Sequence, residues 1–347
     1  MTLPTPLEIR PVHGIGDVTA GDDLAELITR AAPWLADGDV LVVTSKIVSK
    51  AEGRLVEVPA DGPEREEARQ RVLAGETARV VARRGNTTIV QTRHGFVMAA
   101  AGIDASNVDK THLVLLPEDP DASARALRAG FAARGLDVAV IVSDTMGRAW
   151  RNGLTDVALG AAGISALLDH RGRFDPYGNE LSLTQMAVVD ELSAAGELVK
   201  GKTDRVPVAV VRGYSHDGGV GDGPGVSILI RDAESDMFGL GTSEARAAGL
   251  HSAATLADTP PAVPPLAAPV DPVAVRAARD AVAGLLTAVV RETPGGLRLT
   301  PSSDTPAALI RLGTEAHRLR AALAAEGVPT GLAIDDSGTT LTFGVPT

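Results

Sequence analysis

The spacing of apolar and polar residues changes period several times along the chain, and each change marks an element. Leu7 to Val12 predicts a short first strand, followed by a loop, His13-Gly-Ile-Gly-Asp17. Asp22 or Asp23 can cap a helix carrying Leu24, Ile28 and Ala31 and ending near Trp34. Gly38-Asp39 turns into a second strand, Val40 to Val43, which ends in Thr44-Ser45-Lys46. Glu64 to Leu73 predicts a charged helix, Thr87 to Gln91 and Gly95 to Met98 two strands, Leu113 to Leu116 another, and Asp121 to Arg134 a helix. Val138 to Val142 is an unbroken apolar run of strand length that gives way to Ser143 and Asp144, and a turn is expected there. Ile164 to Leu168 follows, then a helix over Leu183 to Val199 and a strand over Val206 to Val211, with Pro207 near its start where proline is tolerated. Strands interleaved with helices predict an α/β chain of mixed α+β character.

Past about residue 250 the pattern changes. Pro260, Pro261, Pro264, Pro265, Pro269 and Pro272, spaced by Ala and Val, predict a linker or an extended strap. A helix over Val273 to Arg291, a strand at Leu297 to Leu299, a helix over Thr305 to Glu326 and a terminal hairpin turning at Asp336-Ser-Gly338 then predict a small α+β module. The expected division is residues 1–250 as the main domain, 251–272 as the linker and 273–347 as the module. No internal repeat is visible.

Composition narrows the function. Only 3% of residues are aromatic, so the core must be built from Val, Leu, Ile and Ala. The formal net charge of -11 argues against nucleic acid as a partner, because phosphate neutralisation needs a basic face. It leaves room for a small anion in a local basic pocket. With no cysteine, disulfides, thiolate catalysis and Cys-ligated zinc are excluded. The N-terminus has no basic segment leading into an apolar one, and no stretch reaches the length of a membrane span, so a soluble cytoplasmic protein is expected.

The densest chemistry lies in Asp144-Thr-Met-Gly-Arg-Ala-Trp-Arg-Asn-Gly153. Asp144 and Thr145 offer hard oxygen ligands, and Arg148, Arg151 and Asn152 offer donors to anions, at the end of a buried strand. The competing reading is a solvated strand end. Thr44-Ser-Lys-Ile-Val-Ser-Lys50 puts three hydroxyls and two lysines at and just beyond the same level of the sheet, and Ala101-Gly-Ile-Asp-Ala-Ser-Asn107 puts a carboxylate three residues before an amide. Gly14 and Gly16 can form a backbone anion nest. Gly196-Glu-Leu-Val-Lys-Gly-Lys-Thr203 spells a phosphate-loop motif, but a helix precedes it and a strand follows, so the helix offers the wrong end. Lys200 and Lys202 can still reach a phosphate as point charges. The seven histidines have no ligand spacing. What remains, Asp, Thr and Asn with Lys and Arg, suits a divalent metal and phosphate.

Five blocks in order, Val43 to Arg54, Ala100 to Asn107, Asp144 to Gly153, Asp175-Pro-Tyr-Gly-Asn-Glu180 and Val206-Pro-Val-Ala-Val-Val-Arg-Gly213, resemble the coenzyme F420:L-glutamate ligases (γ-glutamyl ligases), most closely their actinobacterial branch. The resemblance runs from about residue 7 to about 248. It implies the α/β fold of that family, an intertwined homodimer, GTP as co-substrate, Mg²⁺ or Mn²⁺, and K⁺ as a candidate further ion. By position, Ile15, Gly16, Asp17, Val18, Ser45, Lys50 and Asn107 would touch GTP, with Lys200 and Lys202 nearby. Asp104 and Asp144 would hold one metal and Thr145 a second. Archaeal members carry a metal-ligating Gln about where this chain has Lys202, a departure at the second metal. Actinobacterial members often continue into a flavin-binding nitroreductase-like domain, whereas here only the small module follows the prolines.

The implied reaction is phosphorylation of the phospholactyl carboxylate of a deazaflavin by GTP, then attack by the amine of L-glutamate on the acyl phosphate. Arg148 and Arg151 are candidates for clamping a carboxylate or phosphate. The rival readings are a GTP-binding scaffold without turnover and nucleotide-dependent phosphotransfer to another acid.

Overall fold

The computed structural model describes residues 6–106, 108–215, 221–256 and 270–343. Most of the proline segment and Asn107 lie outside the described residues. The elements, in chain order, begin with β1 (Glu8–Pro11), α1 (Leu24–Ala31), β2 (Val40–Thr44), α2 (Ser45–Ala51), β3 (Leu55–Glu57), α3 (Gly62–Glu76), β4 (Thr77–Arg84), β5 (Thr87–Thr92), β6 (Val97–Ala99) and β7 (His112–Val114). They continue with α4 (Pro120–Ala132), β8 (Ala139–Arg148), β9 (Arg151–Ala162), β10 (Leu167–Asp169), β11 (Gln185–Ala187), α5 (Val188–Lys200), β12 (Val208–Arg212) and α6 (Thr242–Ala254). The last are α7 (Pro272–Val282), β13 (Val289–Thr293), β14 (Gly296–Thr300), α8 (Pro306–Ala325), β15 (Thr330–Asp335) and β16 (Gly338–Phe343).

The central sheet runs β1-β12-β2-β8-β9. Only the β2–β8 pair is parallel. Alternate residues of its strands enter two cores. Leu41, Val43, Val140, Val142, Val208 and Val210 pack with Leu24, Ile28, Leu127 and Phe131 of α1 and α4. Val40, Val42, Ala139, Ile141, Ala209 and Val211 pack with Val188, Val189 and Leu192 of α5. Helices cover both faces, which is why these strands read as continuous apolar runs rather than alternating ones. Asp23 caps α1 through the Glu26 amide and Asp119 caps α4 through that of Ala122.

A β4-β5-β6 sheet and a β3–β7 ribbon sit beside this core, with α3 packed on them through Ala68 and Leu73. The chain splits into two compact units, Met1–Gly241 and Thr242–Thr347. The second contains a β13-β14-β16-β15 antiparallel sheet covered by α7 and α8. Its helix α7 ends at Val282, well short of the expected Arg291, and Leu285 and Val289 are accordingly exposed. Among the described residues no helix is long and apolar enough to cross a membrane.

Other elements differ from expectation too. α2, β3, β4, β11, α6 and β13 were not expected, the helix expected over Leu183 to Val199 begins only at Val188, and β9, a strand of 12 residues, was missed because its Gly and Ala residues carry little strand propensity. Those small residues let α4 lie against β9. A Cβ on Gly160 would stand 2.1 Å from the carbonyl oxygen of Pro120. Since that neighbour is backbone, Gly160→Ala is expected to destabilise the fold by about 3 kcal/mol or more, as measured by urea denaturation. A variant as stable as the wild type would mean that α4 can shift away freely.

Candidate active site

Thr44 and Ser143 are the last paired residues of β2 and β8. Beyond them the two strands part. β2 passes straight into α2, placing Ser45 and Lys46 in its first turn. β8 continues to Arg148, paired with β9 alone, and the two form an arm that reverses at Ala149 and Trp150. The residues from Asp144 to Asn152, expected to occupy one turn, therefore belong mostly to two strands. Arg148 lies four residues beyond Asp144 along an extended strand, about 13 Å away, so the arginines do not share the turn of the carboxylate.

Strand alternation now sorts the side chains. Ser143 and Thr145 face β9's Asp156, donating to its carboxylate at 3.0 and 2.7 Å. Lys200, at the end of α5, completes this cluster. Its ammonium is 1% exposed and lies 2.9 Å from Asp156, 3.0 Å from the Ser143 hydroxyl, 3.3 Å from that of Thr44 and 3.4 Å from Glu197. Burial alone would raise the Asp156 carboxyl, but the charge and hydrogen bond of Lys200 outweigh it and hold the group below its usual range. Lys202 reaches the rim from outside, 2.5 Å from the Thr145 hydroxyl and 2.8 Å from Glu197.

Asp144 points the other way, where the Ser45 hydroxyl and the Thr145 amide donate to it. Burial raises its carboxyl to about 6, and the negative charges of Asp156 and Asp104 add to the effect. Among the described residues it has no ion pair. Asp104 comes from the far side, positioned by a backbone bridge to Val114. It accepts from the Ser106 amide at 2.6 Å and pairs with Lys46 at 2.6 Å. Burial raises it too, but Lys46 and Ser106 more than compensate and keep it ionised.

Where β8 leaves the central sheet, Asp144 therefore lies on the side of Asp104, close enough for the two charges to be felt, while the Thr145 hydroxyl lies on the other side with Asp156. Among the described residues no three acidic or histidine side chains converge within ligand distance. Asp104 and Asp144 are hard oxygen donors, and among the described residues the raised Asp144 carboxyl has no cation of its own. That set fits Mg²⁺ or Mn²⁺.

Other expected positions fare differently. Ile15 and Val18 are buried in the core with Val12, so only their backbone can face a ligand. Between them Gly16 is in the left-handed region at φ +58, and Asp17 is exposed. Ser45 is buried and Lys50 half-buried on α2. Lys200 was expected at the nucleotide. Instead its charge is sealed against Asp156 and Glu197, and it cannot reach a phosphate without leaving them. The phosphate-loop motif fails as its context implied. Gly196 lies inside α5, where a Cβ would meet Val42 at 3.0 Å, and Gly201 ends the helix. Arg148 and Arg151 are exposed at the tip of the arm, with Arg148 donating to the Asn152 carbonyl at 3.4 Å.

With this geometry in place, the comparisons are informative. The model of the F420-0:Gamma-glutamyl ligase family matches residues 14–213. The chain belongs to that family. It is similar to the coenzyme F420:L-glutamate ligase of Methanothermobacter thermautotrophicus, 43% identical over 245 residues, which are 65% of this chain and 96% of that protein. The ligase of Methanopyrus kandleri is 40% identical over 250 residues, 68% of this chain and 98% of its own length. That of Haloarcula marismortui is 42% identical over 249 residues, 67% and 95%. As a member of the F420-0:Gamma-glutamyl ligase family the chain is a ligase, and the candidate residues from Ile15 to Lys202 all fall within the matched segment.

Two residues of this candidate site were missed from sequence: Asp156 and Glu197. Asp156 left a usable trace, the one carboxylate of β9, directly ahead of its apolar run Val157 to Ala162. The two lysines should separate by mutation. Lys200→Met leaves Asp156 charged and buried, and about 3–5 kcal/mol of stability should be lost in denaturant titration. Lys202→Met, at an exposed ammonium, should change stability by less than about 1 kcal/mol. Equal losses would contradict the assignment of Lys200 as the buried partner.

A second expectation concerns Asp144. Its carboxyl is raised from 3.8 to about 6, so the folded protein holds that proton more tightly than the unfolded chain does. Stability from this group is therefore present below about pH 4 and is lost as pH rises through about 6. Asp144→Asn, which lacks the charge, should melt a few degrees above the wild type at about pH 8, and the gap should close toward about pH 4. Adding Mn²⁺ at about pH 8 should raise the melting temperature of the wild type and leave Asp144→Asn unmoved. An equal response in both proteins would remove Asp144 from the metal site.

Proposed function

We propose that this chain joins L-glutamate to a coenzyme F420 precursor, drawing on GTP and passing through an acyl phosphate. The observation that carries the reading is the Asp144 carboxylate, held near Asp104 where β8 leaves the central sheet, with no cationic partner among the described residues. The relatives named F420:L-glutamate ligase, matched over nearly their whole length, support the choice of substrates.

The chemistry divides into two displacements. A carboxylate oxygen of the phospholactyl group attacks the γ-phosphorus of GTP, and the bond to the β–γ bridging oxygen breaks, releasing GDP. The glutamate nitrogen then attacks the acyl carbon. Phosphate leaves with the bonding pair, the nitrogen loses a proton, and an amide remains. Both steps gather negative charge, so the protein must supply positive charge and fixed donors. Lys46 and Lys202 stand at opposite sides of the carboxylates and can turn toward incoming phosphates. The Gly14 to Gly16 backbone, with the Ser45 hydroxyl and Lys50, would cradle the nucleotide. Asp104 and Asp144 would hold one Mg²⁺ or Mn²⁺, and Thr145, whose hydroxyl faces the other side with Asp156, would belong to a second. When bound, such an ion offsets charge on the transferring phosphoryl group. Lys202, already on the Thr145 hydroxyl, would take part of the place of a second ion. Residues 242–347, beyond the family match, would be accessory to the reaction.

The test is incubation of the full chain with GTP, Mn²⁺, glutamate and the deazaflavin precursor. Glutamate-dependent release of GDP with a mass gain of one glutamyl residue is expected. Asp144→Asn and Asp104→Asn should each lower turnover by about 10²-fold or more while remaining folded. GTP binding without turnover would favour a scaffold, and full activity in both variants would reject the carboxylate assignment.

A further inference from the structure

The β8–β9 arm ends in a reversal that its own backbone resists. Trp150 sits at φ +57, in the left-handed region that suits glycine or asparagine and strains a bulky side chain. Its ring is also 82% exposed. Phe238 touches it at right angles, with centroids 4.7 Å apart and planes at 72°. That contact orients the indole while leaving most of its surface in solvent. Just below, Arg148 and Arg151 are cross-strand partners, both exposed, and among the described residues neither forms an ion pair. Leu154, 69% exposed, extends the apolar part of the tip.

None of this serves the fold. A strained turn residue, an exposed indole and two adjacent guanidinium groups that form no ion pair among the described residues each oppose it, and strain of this kind gathers at ligand sites. The arm is rooted in the candidate active site, since Asp144 and Thr145 are its first residues and Arg148 lies about 13 Å along it. A ligand that spans this distance needs a planar aromatic head at the tip and an anionic tail reaching toward Asp144.

We propose that Trp150 is a platform on which the aromatic head of the deazaflavin substrate stacks, with Arg148 and Arg151 receiving its anionic tail on the way to the carboxylates. This rests on the glutamate-ligase reading. The indole supplies a π face, the edge contact from Phe238 holds that face in place, and the arginines set the direction in which the tail runs.

The protein has two tryptophans, so Trp34→Phe leaves Trp150 as the sole indole emitter. Titrating that variant with the deazaflavin precursor alone, without GTP or glutamate, should give saturable quenching of its emission. Turnover of Trp150→Phe and Trp150→Gly in the otherwise native chain supplies a readout that does not depend on the Trp34 substitution. Glycine suits the positive φ, so Trp150→Gly should be at least as stable as the wild type. Its KM for the deazaflavin should nevertheless rise about tenfold or more, with KM for GTP and glutamate unchanged. Trp150→Phe should keep most of the affinity. If Trp150→Gly keeps the wild-type KM while the wild type ligates glutamate, the stacking site is overturned and the ligase reading stands. If the wild type neither binds nor glutamylates the deazaflavin, both fall together.

Discussion

The Lys200 ammonium holds together the end of the sheet around which the candidate site is built. At Thr44 and Ser143 the β2–β8 pairing stops, and two strand ends and a helix terminus meet with their polar groups turned inward. Without a cation, Asp156 would be a bare charge in a dry place. With Lys200, its carboxylate becomes an acceptor for Ser143 and Thr145, which fixes how β8 and β9 leave the sheet. A buried pair of this kind contributes little net stability compared with an apolar replacement, because desolvation offsets most of the attraction. Its effect here is geometric. It sets the direction of the arm and the side toward which Asp144 must point.

That direction creates the tension in the site. Strand alternation puts Thr145 with the neutralised cluster and Asp144 on the opposite side, where hydroxyl and amide donors reach it but, among the described residues, no cation does. The two carboxylates nearest to it in charge, Asp104 and Asp156, already have lysines at 2.6 and 2.9 Å. The site thus holds one carboxylate too many for its own cations. A site arranged this way is costly when empty and gains from any positive ion that enters, which is the balance expected of a binding centre rather than of a structural ion-pair network.

Much of this was legible in the sequence and some was not, for physical reasons. The unbroken apolar runs gave away β2, β8 and β12, because helices on both faces demand them. Asp144 and Thr145 stood out as oxygen donors after an apolar strand and Asp104 as a carboxylate in a turn; the fold brings the two carboxylates near each other and turns the Thr145 hydroxyl to the other side. β9 was hidden because close packing against α4 requires Gly160 and its small neighbours, the residues that strand propensity penalises. Losing β9 also hid Asp156 and made the arm look like a turn. Lys200 and Lys202 looked alike in sequence, two residues apart. Only the end of α5 at Lys200 decides that one is sealed inside and the other left at the rim.

The overall charge also needs reconciling with an anionic substrate. A chain at -11 should repel nucleotides and phosphorylated acids at long range. Exposed charges separated by more than about 8–10 Å are largely screened at physiological ionic strength, however, so the ligand responds mainly to its immediate surroundings. Cations line one path through those surroundings, the inner two of them paired with carboxylates. Arg148 and Arg151 stand at the tip of the arm, Lys202 near its base, and Lys46 across from it beside Asp104. The same acidic exterior that disfavours a nucleic-acid backbone, which needs a long basic face, does little against a small anion entering along this local track. Specificity then rests with groups that match the ligand's shape, and at the arm's tip the exposed aromatic ring is the feature that a simple phosphate could not use.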